Sequence, residues 1–402
     1  MLKSFRHTKV ACFISFVVQA IVNNFLPLLF IIFNTQYHLN YEQLGRLLFI
    51  NFFVQFCVDA LTPLIVKHIG YRGAAVTCHL FASAGLCLLG VLPLLFPNHI
   101  YTCLVASIII YASASGIIEV CISPMVELIP GDKKGADMAF SHSFYCWGQA
   151  FTVLVSTLLI FSLGQDNWHF IPIIWAVIPF LNLFYFLKVP IVEQPEAPIG
   201  KTAKTLVTNR DFWIFAIIMI CAGASEITMA EWASLFAQKA LGCNKTIGDL
   251  LGPCAFAVFM GSGRIIFGLL DGKFNPKKAL ICNNILCILC YVGVAVLNIP
   301  ALSLIACALC GFSVSLSWPG TYSMAARHFP TGYTLMFSIL ALCGDLGCSI
   351  GPWLMGIVAN NATLQIGFLV SAIFPAIMIL IKLLITRKDW ILWILMRLLW
   401  RI

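Results

Sequence analysis

The sequence predicts an all-α polytopic membrane protein, with twelve transmembrane helices in two pseudo-symmetric six-helix bundles. Three observations lead there. The 402-residue chain is 61% hydrophobic and only 10% charged, whereas a soluble domain carries about 25% charged residues. Twelve apolar runs approach or exceed the roughly 20 residues that a helix needs to cross the hydrocarbon core. When these runs are counted off as crossings, twenty of the twenty-four Lys and Arg residues fall on one side.

The runs cover approximately residues 10–33, 44–66, 74–96, 101–126, 139–163, 168–189, 212–238, 248–270, 279–297, 302–326, 335–358 and 366–385. They are numbered spans 1 to 12 below. Lys3, Arg6 and Lys9 resemble the basic start of a secretion signal, but the apolar run behind them is too long, and no small-x-small cleavage site follows it. It reads as the first span. Basic residues concentrate on the cytoplasmic side of membrane proteins, so both termini are expected there. Arg46, Lys239 and Lys245 are the basic residues left outside, and Arg264 falls within span 8.

The longest cytoplasmic connection, 190–210, contains Glu-Gln-Pro-Glu-Ala-Pro and reads as a polar linker. It divides the chain into a bundle at 1–189 and a second at 211–385, followed by a tail at 386–402. A faint repeat supports the division. Gly116 precedes Pro124 by eight residues in span 4, and Gly311 precedes Pro319 by eight in span 10. Internal repeats with interrupted helices are typical of secondary transporters. The tail is too short to cross the membrane. Its Trp390, Trp393 and Trp400 with Arg397 and Arg401 suit a helix lying in the interface.

The seventeen Cys are scattered through apolar stretches without metal-ligand spacing, so they read as small hydrophobes. No Gly-x-Ser-x-Gly, His-Glu-x-x-His or Walker sequence is present. These readings predict neither enzyme activity nor a cofactor, and no metal or nucleic-acid partner. The missing Walker sequence also argues against ATP-driven pumping within this chain.

Polar groups inside the membrane are costly and therefore informative. Asn51, Gln55, Asp59 and Thr62 line one face of span 2. His142, Tyr145, Gln149, Thr152 and Ser156 do so in span 5, and Ser115, Glu119 and Ser123 in span 4. Span 1 carries Gln19, Asn23 and Asn24. The second half has Glu226 and Glu231 in span 7, Arg264 in span 8, Trp318 in span 10 and Asp345 in span 11. Each stripe could be interhelical glue. Asp59, Arg264 and Asp345 are candidates for structural charge pairs, with Arg264 expected to neutralise Asp345 or another buried acid of its own half. Glu119 and Glu226 have no cation within four residues along their own helices, which makes them candidates to carry protons. His142 fits ligand contact and helix packing equally well.

These local patterns together resemble the major facilitator superfamily, and within it the fucose permease-like sugar–proton symporters. The resemblance runs from about residue 10 to 385. It rests on Val-Asn23-Asn24-Phe-Leu-Pro, Ile69-Gly70-Tyr71-Arg72, Gly116-Ile-Ile-Glu119, His142-Ser-Phe-Tyr145-Cys-Trp147-Gly148, Gly263-Arg264, Ser317-Trp318-Pro319-Gly320 and Gly344-Asp345-Leu-Gly347. It implies that spans 1, 4, 7 and 10 line a central cavity holding Gln19, Asn23, Asn24, Glu119, Glu226 and Trp318. His142, Tyr145 and Gln149 join them as substrate-binding candidates. The resemblance also implies proton coupling at Glu119. Two features depart from the family pattern. The acid of the loop between helices two and three is replaced by Lys67, although Asp271 keeps it in the second half. The carboxylate of fucose permease a little beyond Asn23-Asn24 has no counterpart.

The expected function is a secondary active transporter of a small polar solute, a sugar or related compound. It would work by alternating access in the plasma membrane as a monomer, coupled to protons with Na⁺ as the alternative ion. A drug–proton antiporter is the runner-up, but such exporters carry a Gly-Pro-rich fifth helix, and residues 142–161 contain no Pro. A transporter-like receptor that does not transport is a third reading.

Overall fold

The structure is a computed structural model, and it describes residues 4–130, 134–192, 206, 208–269, 276–297, 299–328 and 333–381. The tail at 386–402, most of the linker, Asp271 and the side chain of His142 lie outside the described residues. Helices and short helical turns account for nearly all of the described chain, and no strand occurs among the described residues. In hydrocarbon a backbone amide must find its partner within the protein, and a helix achieves this within one segment.

Among the described residues, eleven helices are long and apolar enough to cross a membrane: Phe5–Gln36, Tyr41–Thr62, Leu64–Leu95, Pro97–Ile122, Ser143–Leu163, Phe170–Lys188, Arg210–Lys239, Lys245–Phe267, Lys278–Val296, Ser338–Asn361 and Leu364–Ile381. They match spans 1 to 9, 11 and 12. The tenth differs from the single span expected at 302–326. It is split into Pro300–Val314 and Ser317–His328. Ser313 and Ser315 donate their hydroxyls to the carbonyls of Cys310 (2.6 Å) and Phe312 (2.7 Å). Such local bonds compete with the helical ladder, and Pro319 has no N–H to offer the carbonyl four residues back.

Side-chain caps start several helices. Asn40 and Gln43 exchange side-chain to backbone bonds of 2.8 and 2.9 Å at the start of span 2, a reciprocal capping box. Asn244 caps span 8 by accepting from the Ile247 N–H at 2.8 Å. Spans 2 and 3 run on with one break at Gly70, whose φ of 69° suits only glycine without strain. Span 1 is interrupted by a tight turn at Leu26–Leu29 containing Pro27. In the loop that lost its family acid, Arg72 donates to the carbonyls of Phe186 (2.6 Å) and Val189 (2.9 Å). It thereby closes the C-terminal end of span 6, where carbonyls lack helical partners.

The two glycines of the faint repeat make equivalent contacts. Gly116 of span 4 packs on span 2, where an added Cβ would meet Gln55 O at 2.9 Å. Gly311 of span 10 packs on span 8, directly against the backbone of Phe256. Spans 2 and 8 occupy matching places in the two halves, so the repeat is a repeat of close helix contacts.

Gly311→Ala should therefore lower stability even though alanine is the better helix former. Its methyl group meets backbone that cannot rotate away, an overpacking cost of about 1–3 kcal/mol. Thermal unfolding of the purified protein should show a clearly reduced midpoint. Gly293→Ala is the control. Its nearest neighbour is the Ala306 methyl at 3.3 Å, and it should shift the midpoint far less.

Candidate functional site

The polar stripes of spans 1, 2 and 4 meet between the two halves. Gln19 donates to the Glu119 carboxyl. Gln55 is the hub: its Oε1 accepts from Asn23 Nδ2 at 3.2 Å and from Ser115 Oγ at 2.6 Å, while its Nε2 donates to Asp345 Oδ1 at 3.1 Å. The last bond crosses from the first half to the second. A residue read from sequence as equally compatible with structural glue thus connects spans 1, 2, 4 and 11. Asn24 donates from Nδ2 to the Tyr145 hydroxyl at 3.2 Å, and Gln149 is buried in span 5. Trp318 is half-buried at the break in span 10, and its ring lies against Gly344 of span 11.

The charge pairing takes a different form from the one expected for Asp59, Arg264 and Asp345. Arg264 pairs with Glu226 of span 7, Nη2 to Oε1 at 3.3 Å, and donates from Nη1 to Cys146 Sγ of span 5 at 3.2 Å. It neutralises a buried acid of its own half, and that acid is Glu226 instead of Asp345. Asp59 and Asp345 face each other from spans 2 and 11, and Glu119 lies within electrostatic reach of both. Sequence spacing could not distinguish these arrangements, because the partners lie on different helices.

At the helix ends that carry Leu28 and Lys245, a second set of bonds joins the halves. Lys245 pairs with the fully buried Asp249 at 2.9 Å and donates to the Leu28 carbonyl at 2.6 Å. Asp249 also accepts from Thr157 of span 5 at 2.9 Å and from Ser234 of span 7. The interruption of span 1 around Pro27 leaves the Leu28 carbonyl for this lysine. Trp232 completes the contact, with its ring 5.6 Å from Phe30 and 6.3 Å from Tyr41. Sequence reasoning counted Lys245 only as an outside charge and assigned nothing to Asp249 or Thr157.

A third cluster lies within the first half. Asn182 Nδ2 donates to His79 Nε2 at 2.8 Å, and His79 Nδ1 lies 2.7 Å from the Ala75 carbonyl. A carbonyl can only accept, so these partners assign the proton to Nδ1. Ser15 of span 1 completes the set, 3.3 Å from His79 Nε2. The cluster ties spans 1, 3 and 6 together away from the facing halves. Its sequence signal was one histidine and one asparagine in separate apolar runs.

The profile of the Major Facilitator Superfamily matches residues 11–334 and 254–390. The chain belongs to the Major Facilitator Superfamily. A Helicobacter pylori protein described as a glucose/galactose transporter is 22% identical over 347 residues, which cover 81% of this chain and 83% of that one. Membrane protein MosC of Rhizobium meliloti is 23% identical over 260 residues, 63% of this chain and 61% of its own. Among solved structures, a D-xylose–proton symporter superposes with a TM-score of 0.77 at 15% identity, covering 95% of this chain and 97% of that one. The fucose:proton symporter of E. coli gives 0.67 at 16%, covering 94% and 98%. The protein is a multi-pass membrane transporter and not an enzyme.

Arg264→Ala should be poorly tolerated, because it leaves Glu226 as an uncompensated buried acid. Breaking a buried pair costs about 3–5 kcal/mol. The double variant Arg264→Ala with Glu226→Gln should recover much of the monodisperse yield in detergent. A double variant that expresses no better than Arg264→Ala would show that this pairing is not what holds the site.

Proposed function

We propose that the protein is a proton-coupled symporter that imports a sugar or a similar neutral polar solute across the plasma membrane. It works as a monomer surrounded by lipid, with both termini cytoplasmic. The observation that carries this reading is the hydrogen bond between Gln19 and Glu119. It places a carboxyl of span 4 against an amide of span 1, in the layer where Gln55 and Asp345 connect the two halves. Gln19 and Glu119 belong to the same bundle and move together, so rocking of the bundles keeps their bond and changes what Glu119 faces across the divide, Asp345 and Arg264. A carboxyl that meets a different partner set on each side of the cycle can take a proton from one side and release it to the other.

Asn23, Asn24, Gln19 and Gln149 supply amide donors and acceptors for hydroxyl groups, and Trp318 supplies a flat apolar face. These side chains suit a sugar. The relative named as a glucose/galactose transporter and the structural likeness to sugar–proton symporters support the same class. The bonds at the outer ends support a state closed on the outer side. The Arg264–Glu226 pair makes Glu226 a less direct proton carrier than Glu119, since its charge is already matched. Glu226 stays the next candidate for coupling and for contact with the substrate.

Glu119→Gln removes titration without changing size. In proteoliposomes this variant should still exchange labelled sugar in counterflow but should no longer accumulate it down a proton gradient. Gradient-driven accumulation by Glu119→Gln would move coupling elsewhere. Accumulation that follows a Na⁺ gradient in the wild type would replace the proton as driving ion. Outward movement of sugar against its gradient would favour the antiporter reading, and a folded wild type that binds without transporting would favour the receptor reading.

A further inference from the structure

Two pairs of cysteines meet between spans 9 and 10 of the second half. Cys287 and Cys290 lie three residues apart in span 9, and Cys307 and Cys310 three apart in span 10, so each pair shares a helix face. The helices form an antiparallel hairpin with a short connection between Val296 and Pro300. Cys287 Sγ and Cys310 Sγ are 3.9 Å apart. Further along the same contact, a Cβ on Gly293 would lie 3.3 Å from the Ala306 methyl. Cys290 and Cys307 fall between these two contacts. All four thiols are buried, with exposures of 1%, 3%, 3% and 0% in chain order.

The surroundings fix the Cys287–Cys310 contact. Tyr291, about one turn beyond Cys287, donates its hydroxyl to the Ser225 carbonyl of span 7 at 2.8 Å. Gly311, next to Cys310, packs directly against the Phe256 backbone of span 8. The Cys310 carbonyl accepts from Ser313 Oγ at 2.6 Å, and the regular helix ends at Val314. The sulfur contact therefore lies about one turn from the break in span 10. A single buried thiol is accounted for as a small hydrophobe, but two sulfurs touching across a helix pair have a further chemistry. Among the described residues no three His, Cys, Asp or Glu side chains are grouped so as to hold a metal ion. The chemistry open to the pair is a bond between its sulfurs.

We propose that Cys287 and Cys310 are a redox pair whose disulfide locks the break in span 10. The oxidant is a hydroperoxide, of which hydrogen peroxide is small and uncharged. One sulfur attacks the peroxide O–O bond, which gives a sulfenic acid and one water. The second sulfur displaces the sulfenic hydroxyl, which leaves as a second water. Two S–H bonds and one O–O bond are broken, and one S–S bond and two O–H bonds are formed. Two electrons pass from the sulfurs to the peroxide. The thiolate is the attacking form, so the buried pair reacts while span 10 is displaced at its break. The bond that results, about 2.05 Å long, then ties that turn to span 9. The lock acts on span 10 itself and is independent of which solute is carried.

The test uses the purified full-length protein in lipid nanodiscs, treated with hydrogen peroxide and then reduced with a phosphine. Free thiols are blocked with N-ethylmaleimide, and the digest is read by mass spectrometry. Cys290→Ala combined with Cys307→Ala keeps the proposed pair and removes the neighbouring one. Cys287→Ala removes the proposed pair, and gel filtration confirms that each variant is folded. If Cys287→Ala does not fold, Cys287→Ser and Cys310→Ala take its place. The wild type and the double variant should both yield a peptide linked from Cys287 to Cys310. Amide exchange at residues 311–318 should fall about tenfold on oxidation, as local opening is suppressed, and recover on reduction. Cys287→Ala should show neither change.

No Cys287–Cys310 link in folded, peroxide-treated double variant would overturn the redox pair. A link that leaves exchange at 311–318 unchanged would overturn the lock. A fall in exchange that persists in Cys287→Ala would assign the effect to another cysteine and overturn the proposal as well.

Discussion

The structure depends on one constraint: in a low-dielectric bilayer an unpartnered polar side chain is costly, so polar groups gather where the protein can supply partners. Lipid-facing surfaces obey it with exposed Leu, Ile and Phe, such as Leu158, Phe161 and Leu289. The polar residues are gathered instead where the halves meet, and to a lesser degree in the His79–Asn182–Ser15 cluster inside the first half. The distribution separates two roles. The His79 cluster makes its bonds within one bundle and holds three helices of that bundle together, with Asn182 Oδ1 left unpartnered. The groups between the bundles are incompletely satisfied or satisfied across the divide, so their partners must change when the bundles move.

The strength of the crossing bonds fits that movement. Interhelical hydrogen bonds in membranes are worth roughly 0.6–2 kcal/mol each. At the Leu28–Lys245 end, the Lys245–Asp249 pair lies wholly within the second half and can travel with it. Among the described residues, the bonds from Lys245 to the Leu28 carbonyl and from Thr157 to Asp249 cross between halves there, alongside aromatic contacts such as Phe30–Trp232. Keeping the ion pair intact avoids exposing a lone buried charge, the event that would make opening prohibitive. A few kcal/mol of crossing bonds can be recovered from bonds formed at the opposite end, so neither state needs to be deeply preferred.

Much of this was legible in the sequence. Run length and the distribution of Lys and Arg define the spans, and the spacing of four along span 2 places Asn51, Gln55 and Asp59 on one face. The eight-residue Gly–Pro spacing pointed to equivalent positions, which the structure shows as equivalent packing of Gly116 and Gly311. What escaped was pairing between helices distant in sequence. Arg264 could be recognised as a cation needing an acid, but choosing Glu226 over Asp345 requires knowing which faces of spans 7, 8 and 11 turn toward one another. Asp249 drew no assignment because one of its partners, Thr157, sits on a span distant in sequence and the other, Lys245, was counted only as a loop charge. The break in span 10 was hidden because serine is ordinary in membrane helices, and only its hydroxyl geometry shows that it interrupts one.

The central claim is that the helix ends around Leu28 and Lys245 are held by a small set of crossing hydrogen bonds that open as a unit, with the helices themselves intact. Hydrogen–deuterium exchange in lipid nanodiscs tests this most directly, comparing the wild type with Thr157→Val combined with Lys245→Met and Asp249→Asn, which removes the ion pair as a unit and leaves no lone buried charge. The account predicts that exchange at residues 26–36 and 245–250 rises by about tenfold, in proportion to two lost bonds, while exchange at the opposite helix ends, 5–12 and 210–216, falls as that side closes. Unchanged exchange at residues 26–36 and 245–250, or an equal rise at both helix ends, would contradict it.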